Sequence, residues 1–307
     1  MKKIIAIVLL LCSVFISCSS NEYNRAVLPE REIGELAENF NGDIGIYVKD
    51  LETGAEFEIN ADTIFPSASM VKIPILIKTF DKIEQGDLDY QMELKYGPEP
   101  EYEYSGDIVS NLIPGTEVAI SKLIHLMMST SNNTASLWNQ YLAGTGTEIN
   151  RWLEENGFES TRVNSRTDGR VEEFEMYGWG QTTPREIAGL VEGIFKGDVV
   201  NKTASEQMYR IMSRNYWDGE ALSQIPPTVN VASKNGAVRA SRSEVLLVNA
   251  PSGDYLFSVI TKNQEDTSYE YDNEAWRIIR KLSSLLYNHF EPESDWKPLD
   301  NSKKYHQ

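Results

Sequence analysis

Two groups of strand-like segments lie at opposite ends of the chain, and this separation limits the folds that the chain can adopt. Residues 42–60 alternate apolar and polar positions around a turn at 52–54, which is typical of a β-hairpin. Three further segments of this character follow Pro226: 229–236, 243–251 and 254–262. Pairing of the two groups would build one antiparallel sheet.

Helical periodicity fills the stretch between the strand groups, and Thr183-Pro184 has the form of an N-cap followed by proline at N1. Helices are predicted at 69–82, 119–128, 133–142, 147–156 and 184–195, with a helix pair around 204–213 and irregular stretches at 96–118 and 157–182. Terminal helices predicted at 29–40 and 274–289 would pack on the sheet. The sequence therefore predicts an α+β fold, a three-layer α/β/α sandwich with an inserted all-helical lobe.

The first residues have the composition of an export signal. Two lysines precede an apolar run at 4–16, which is too short to span a bilayer comfortably, and Ser17-Cys18 follows. A small residue before a cysteine resembles a bacterial lipobox, in which the cysteine carries lipid. We predict a lipoprotein anchored at Cys18 and facing the periplasm; an ordinary secretory signal and a secreted periplasmic protein are the alternative.

These features suggest a division of the chain. The predicted segments are a signal peptide with lipobox at 1–18, a tether at 19–28, one folded domain at 29–290 and a polar tail at 291–307. Within the domain, residues 29–62 and 214–290 would form an α/β lobe, and residues 63–213 a helical lobe.

Composition excludes several classes of function. The formal net charge of −17 disfavours nucleic acid and anionic membrane surfaces as partners, so that membrane contact is expected only through the lipid. Of the two cysteines, Cys12 lies in the signal and Cys18 at its end, which leaves the mature domain without a disulfide. Three isolated histidines and no glycine-rich phosphate loop predict neither a metal nor a cofactor. We expect a monomer.

The stretch FPSASMVKIPILI, residues 65–77, places Lys72 among apolar residues, three positions after Ser69. Lys72 could lie at the edge of a core helix and extend its ammonium group to water. Alternatively, Ser69 and Lys72 share one helical face as a nucleophile and its base, since burial lowers the pKa of a lysine.

Two further short motifs follow in the chain. Ser131-Asn132-Asn133 lies between two predicted helices, and Lys234-Asn235-Gly236 lies on a predicted strand. Each has an ordinary explanation as well: Ser131 as a helix N-cap, Lys234 as a solvated strand residue, and Asn235-Gly236 as a turn.

Together the three motifs resemble the S-x-x-K, S-D-N and K-T-G set of class A β-lactamases and penicillin-binding serine hydrolases. The resemblance extends over roughly residues 30–290, and the Thr183-Pro184 helix start also fits it. It implies the β-lactamase/transpeptidase-like fold. This chain departs from the family pattern at Asn132 and Asn235, where aspartate and a hydroxyl residue are usual.

The resemblance implies roles for these residues. Ser69 would attack the carbonyl, Lys72 would act as base, and Ser131 with Lys234 would pass the proton to the leaving nitrogen. The N–H groups of Ser69 and Ala237 would form the oxyanion hole, and Lys234 would attract the substrate carboxylate. Contacts with substrate are expected from Asn133, Asn235, Gly236 and Tyr104.

The family's E-x-x-L-N motif, whose glutamate activates the deacylating water, is absent from this sequence. Ungapped counting from Ser131 puts Thr167 in that position, and shifts in register offer Asp168 or Glu172 instead. Misplacing a catalytic carboxylate by about an ångström can cost on the order of a hundredfold in rate. Slow turnover of the acyl-enzyme is therefore one expectation.

Three functions remain open from the sequence. The first is a class A-type serine β-lactamase, a hydrolase that opens the lactam amide and responds to antibiotic. The second is a penicillin-binding D,D-peptidase or esterase, which acts on peptidoglycan stem peptides or other acyl donors and deacylates slowly. The third is a non-catalytic module that binds a wall fragment.

Overall fold

The computed structural model describes residue 25 and residues 27–99, 101–298 and 302–305. The predicted signal peptide, including Cys18, lies outside the described residues, as do most of the predicted tether and part of the tail. Among the helices of the described part of the chain, none is long and apolar enough to cross a membrane.

Five antiparallel strands form the main sheet, and they come from both ends of the domain as the sequence predicts. The strand order is β2-β1-β10-β9-β8. The strands are β1 (Asp43–Asp50), β2 (Glu56–Ile59), β8 (Asn230–Val238), β9 (Ser241–Ala250) and β10 (Gly253–Lys262). Ile46 on β1 pairs with Val259 on β10, which joins the two strand groups. β8 lies at one edge of the sheet, where it contacts the turn at Ala68–Val71.

Helices cover both faces of this sheet. α1 (Glu30–Glu38) and α9 (Glu274–Phe290) pack together on one face, and α7 (Pro184–Lys196) packs on the other. Successive residues of β9 therefore enter different cores: Leu246 joins the core beneath α9, and Leu247 joins the core beneath α7. Covering both faces explains why β9 and β10 are buried almost throughout. The fold is α+β, as predicted.

The remaining helices pack beside the sheet. They are α2 (Lys72–Glu84), α3 (Ile120–Ser129), α4 (Asn133–Leu142), α5 (Thr145–Glu155), α6 (Val171–Tyr177) and α8 (Lys202–Met212). Short strands connect them: β3 (Phe65–Pro66), β4 (Glu93–Lys95), β5 (Glu117–Ala119), β6 (Arg162–Val163) and β7 (Gly180–Thr182). The division into two lobes remains a proposal.

Most predicted helices are confirmed to within a few residues, and the Thr183 side chain accepts the Glu186 N–H at 3.1 Å as an N-cap should. The predicted helix pair around 204–213 is wrong, because α8 is a single helix that packs on α7. The stretch 157–182 is not wholly irregular, since it contains β6, α6 and β7. These elements are too short for periodicity to reveal.

Candidate active site

Ser69 lies in a tight turn at the entrance to α2 rather than within the helix. Residues Ala68–Val71 form a 3₁₀ turn, and Ala68 adopts a left-handed backbone conformation with φ of 46°. The Ser67 N–H donates to the Gly180 carbonyl of β7 at 2.9 Å, which fastens the turn to that strand. A positive φ at a residue with a Cβ is strained and depends on surrounding structure to hold it. The turn leaves Ser69 half-buried.

Lys72 is completely buried, so the interpretation in which its ammonium group extends to water is wrong. Its Nζ lies 3.1 Å from Ser69 Oγ, 2.9 Å from Ser131 Oγ and 2.9 Å from Asn133 Oδ1. It also donates to the Ser131 carbonyl at 2.6 Å. One amine thus contacts both hydroxyls that the sequence nominated for proton transfer.

The surroundings of Lys72 favour its neutral form. Burial lowers its pKa well below the usual lysine value, and the nearby Lys234 charge lowers it further, whereas Asp107 acts in the opposite direction. A neutral amine 3.1 Å from Ser69 Oγ is placed to accept the hydroxyl proton.

Ser131 faces Lys72 because of the conformation of the loop before α4. Its φ is 57°, again in the left-handed region. The N-cap of α4 is Asn132, whose Oδ1 accepts the Ala135 N–H at 2.8 Å. The interpretation of Ser131 as the N-cap is therefore wrong, and its hydroxyl is left for contact with Lys72.

Lys234 lies on β8 and is also completely buried, so it is not a solvated strand residue. Its Nζ donates to the backbone carbonyl of Asn235 at 2.9 Å and to Asn235 Oδ1 at 3.2 Å. Burial lowers the pKa of Lys234 to about 7, and Glu244 opposes that shift. Asn235 and Gly236 pair with Glu244 and Ser243 of β9, so they form strand and not a turn.

Gly236 allows β8 to approach the Ser69 turn closely. A Cβ at this position would lie 2.9 Å from the backbone nitrogen of Ser69, 2.9 Å from Ala68 Cβ and 2.7 Å from Ser243 Oγ. The K-x-G glycine is thus needed for the backbone of the nucleophile to lie against the strand. This approach brings the Ser69 N–H beside the strand segment that contains Ala237.

A cleft of about 460 Å³ opens over these groups. It is lined by Ser69, Thr130, Ser131, Asn133, Trp217, Gly219, Glu220, Asn235, Gly236, Ala237, Tyr269 and Trp276. Trp217, Tyr269 and Trp276 form an aromatic wall of the cleft that was not predicted from the sequence. Trp217 is held by a 3.0 Å hydrogen bond from its Nε1 to the Thr130 carbonyl. These residues come from separate parts of the chain, and no short motif marks them.

Comparison with known proteins identifies the family. A family model described as the β-lactamase enzyme family matches residues 28–290. The chain belongs to the β-lactamase enzyme family.

Individual relatives are distant but span the whole length. β-Lactamase VEB-1 of Pseudomonas aeruginosa is 22% identical over 303 residues, covering 94% of this chain and 99% of that protein. β-Lactamase PSE-4 of the same organism is 23% identical over 297 residues, covering 96% and 100%. The solved structure of PBP-A has a TM-score of 0.75 at 24% identity, covering 86% of this chain and 96% of that one. This structural similarity shows a shared fold.

The two carboxylates that the sequence nominated for deacylation in this β-lactamase family member lie away from the cleft lining. Asp168 and Glu172 are both exposed. Thr167, at the counted position of the family's glutamate, is buried, and its hydroxyl donates to the Ser165 carbonyl at 2.9 Å. Its side chain packs against Gly146 of α5, and positive φ values at Arg166 and Gly169 turn the backbone on either side. Neither Asp168 nor Glu172 is among the residues that line the Ser69 cleft.

Tyr104 lines a second cavity of about 480 Å³ rather than the cleft that holds Ser69. Its ring packs edge-on against Trp179 at 5.6 Å, and Asp168 lines the same cavity. Asn133, predicted to contact substrate, lines the Ser69 cleft while its Oδ1 accepts from Lys72. No group of three or more His, Cys, Asp or Glu side chains in the described residues could hold a metal ion.

Proposed function

We propose that this protein is a class A-type serine β-lactamase, which hydrolyses the β-lactam amide through an acyl-enzyme on Ser69. The observation that carries the proposal is the position of Lys72 Nζ, buried and within 3.1 Å of both Ser69 Oγ and Ser131 Oγ. Membership of the β-lactamase enzyme family and the full-length relatives named β-lactamase support it.

Acylation begins with transfer of the Ser69 hydroxyl proton to neutral Lys72. Ser69 Oγ then forms a bond to the lactam carbonyl carbon, and the carbonyl electrons move to its oxygen. When the C–N bond breaks, the lactam nitrogen takes the proton of Ser131 Oγ, and Lys72 returns a proton to Ser131 at 2.9 Å. The product is an ester on Ser69 and an amine, with Lys72 neutral again.

Two further features assist this step. The N–H groups of Ser69 and Ala237 would stabilise the negative oxygen of the tetrahedral intermediate. Lys234, when protonated, would attract the carboxylate of a β-lactam or of a peptidoglycan stem peptide. Asn235, Gly236 and Asn133 line the cleft and would contact the substrate.

Deacylation requires a base that takes a proton from the attacking water. Whether this protein has such a base distinguishes the proposed function from a second candidate. Asp168 and Glu172 are exposed, and the buried Thr167 carries no carboxylate. If Asp168 or Glu172 supplies the base, the surrounding loop must move. If neither does, the ester on Ser69 persists, and the protein is a penicillin-binding D,D-peptidase or esterase that acts on wall peptides. A non-catalytic binding module would not need the Lys72 contacts described above.

Replacement of Lys72 tests the proposal. We expect Lys72→Ala to reduce the rate of acylation by a penicillin by about 10²–10⁴-fold, since the base is lost. Lys78→Ala is the matched control: Lys78 is also buried on α2, but its ammonium pairs with Asp81 at 2.6 Å. Stopped-flow or quenched-flow acylation kinetics would measure both variants, with circular dichroism to verify the fold.

An unchanged acylation rate in Lys72→Ala would contradict the proposed role of Lys72. An equal loss in Lys78→Ala would show that the effect comes from disturbance of α2. Hydrolysis of a chromogenic cephalosporin by the unaltered protein would distinguish the two candidate functions, because only the β-lactamase turns over many equivalents.

We also propose that the protein is exported and anchored by lipid on Cys18, which becomes the mature N-terminus when the residues before it are removed. The apolar run followed by Ser17-Cys18 supports this proposal. Cys18→Ser should move the protein from the membrane fraction to the soluble fraction of cells, and membrane retention of that variant would contradict lipid anchoring.

A further inference from the structure

We propose that Asp107 is a positioning residue of the acylation centre, which holds the first turn of α4 and supplies a negative charge that acts on Lys72. Asp107 lies in the loop between β4 and β5, and no sequence motif marks it. The proposal rests on the acyl-enzyme function given above. It concerns how the acylation centre is held, and not which residue removes the acyl group.

Asp107 joins its own loop to α4. Its Oδ2 accepts the Thr134 N–H at 2.7 Å, and its Oδ1 accepts the Ser110 N–H at 2.9 Å. A second contact lies alongside, because Thr134 Oγ1 donates to the Tyr104 carbonyl at 2.9 Å. The side chain of Asp107 is half-buried. The loop is thus fastened to the first turn of α4 at two points.

These contacts complete a cap that is shared between two segments. The Ala135 N–H is accepted by Asn132 Oδ1 at 2.8 Å, and the Thr134 N–H is accepted by Asp107. The first N–H groups of a helix have no partner within the helix and favour a negative charge. A neutral N-cap at Asn132 and a carboxylate from a distant loop together meet that need.

The capped turn also carries the acceptors for Lys72. Ser131 and Asn133 flank Asn132 in the chain, and both contact Lys72 Nζ at 2.9 Å. A displacement of this turn would move both acceptors away from the amine. Asp107 therefore acts on catalysis through Ser131 and Asn133, without touching the substrate.

Charge gives Asp107 a second effect on Lys72. Burial acts to raise the pKa of Asp107, but hydrogen bonds from Ser110, Thr134 and the Asn132 side chain outweigh it and hold that pKa below its usual value. The ionised carboxylate raises the pKa of Lys72, against burial and Lys234, which lower it. Glu244 on β9 acts on Lys234 in turn.

The residue at position 132 bears on the role of the Asp107 carboxylate. The class A pattern that the sequence resembles has aspartate at this position, so the chain lacks the carboxylate expected there. Asp107 provides a carboxylate at the same helix end. Two carboxylates at this end would repel each other, so Asn132 and Asp107 form a compensating pair.

The pH dependence of acylation separates the charge from mere support of the fold. Asp107→Asn keeps the size of the side chain and removes its charge. Without that charge the pKa of Lys72 falls. Acylation needs neutral Lys72, so the acid limb, which is the pH range where the acylation rate drops as pH falls, moves to lower pH by about one unit. The double variant Asp107→Asn with Asn132→Asp returns one carboxylate to the helix end and should move the limb back.

Acylation by benzylpenicillin would be followed by quenched-flow mass spectrometry between about pH 4 and about pH 9, a range that brackets the acid limb. Glu101→Gln is the matched control, since it removes an exposed carboxylate from the same loop. Wild-type and Glu101→Gln profiles should coincide. A profile of Asp107→Asn that coincides with these would overturn the proposal, and a rate that is lost equally at all pH values would overturn the action of the Asp107 charge on Lys72.

Thermal unfolding tests the same pair without any acylation. Asn132→Asp alone should lower the melting temperature by about 3 °C, because it adds a second carboxylate at the helix end. Adding Asp107→Asn should recover most of that loss. Simple additivity of the two changes would overturn the pairing. If the wild-type protein is not acylated at all, the proposed function fails, whereas the unfolding cycle still decides the role of Asp107 at α4.

Discussion

Two lysines, Lys72 and Lys234, are completely buried in a chain whose formal net charge is −17. Burial disfavours the charged form of each, and their mutual repulsion lowers the pKa of Lys72 further. The two side chains have different partners: Lys72 contacts hydroxyls, and Lys234 contacts the carbonyl and side chain of Asn235. Lys72 is thereby suited to take a proton, and Lys234 to present a titratable charge beside the cleft.

The titration of Lys234 predicts how binding of anionic substrates depends on pH. Its pKa is lowered to about 7, so the charged fraction falls as pH rises through neutrality. We expect the KM for a penicillin to rise about tenfold between about pH 6.5 and about pH 8.5, because the substrate carboxylate loses one charged partner. Initial-rate or acylation kinetics across this range would measure it.

A neutral methyl ester of the same penicillin provides the control, because it lacks the carboxylate that Lys234 would attract. Its KM should change little over the same range. Equal pH dependence for acid and ester would contradict the role of Lys234. A flat KM for the penicillin acid would do so as well.

Contacts between elements bring the motifs together. The 3₁₀ turn that carries Ser69 lies against β8 at Gly236, and the first turn of α4 lies beside Lys72. The Ser69 turn also hydrogen-bonds β7 through Ser67. Each motif thus depends on a neighbouring element for its geometry. A change at one of these contacts should therefore displace Ser69.

Gly236→Ala tests the contact between β8 and the Ser69 turn. An added Cβ would lie 2.9 Å from the Ser69 backbone nitrogen, so the turn or the strand must shift. We expect acylation to slow by about a hundredfold, since displacement of about an ångström costs that much. The measurement is the acylation rate of the folded variant with a penicillin.

Gly189→Ala on α7 is the matched control. A Cβ at this position would make an ordinary van der Waals contact with the Phe158 ring at 3.6 Å. It should leave acylation unchanged and keep or slightly raise stability, since alanine favours a helix. Wild-type acylation in Gly236→Ala would show that close packing at this position is not required.

The sequence predicted the long helices better than the loops. α4 was predicted from periodicity, and α7 from periodicity together with the Thr183-Pro184 N-cap signal; both helices agree with the structure. The loop within 157–182 was not, because a positive φ at Arg166 changes which side chains point inward, and counting residues cannot detect that. Asp107 was missed for another reason: its partner Thr134 lies 27 positions away, and nothing local to Asp107 indicates that contact.

On the scale of the molecule, the main sheet joins strands from the two ends of the domain. β1 from the start of the domain pairs with β10 near its end, and the helices between them bring Ser69 and Ser131 together around Lys72. Strands at both ends and helices between were enough to predict this arrangement. The aromatic wall of Trp217, Tyr269 and Trp276 was not, because it forms only when distant loops converge.

The most direct test of the central claim is intact-protein mass spectrometry of the chain mixed with benzylpenicillin, followed over time, with peptide mapping of the labelled residue. We predict a mass gain of one penicillin on Ser69, which then disappears as hydrolysed drug accumulates. A gain on Ser69 that persists would contradict β-lactamase turnover and favour the peptidase or esterase. No gain, or a gain on another residue, would contradict Ser69 as the nucleophile for this class of substrate.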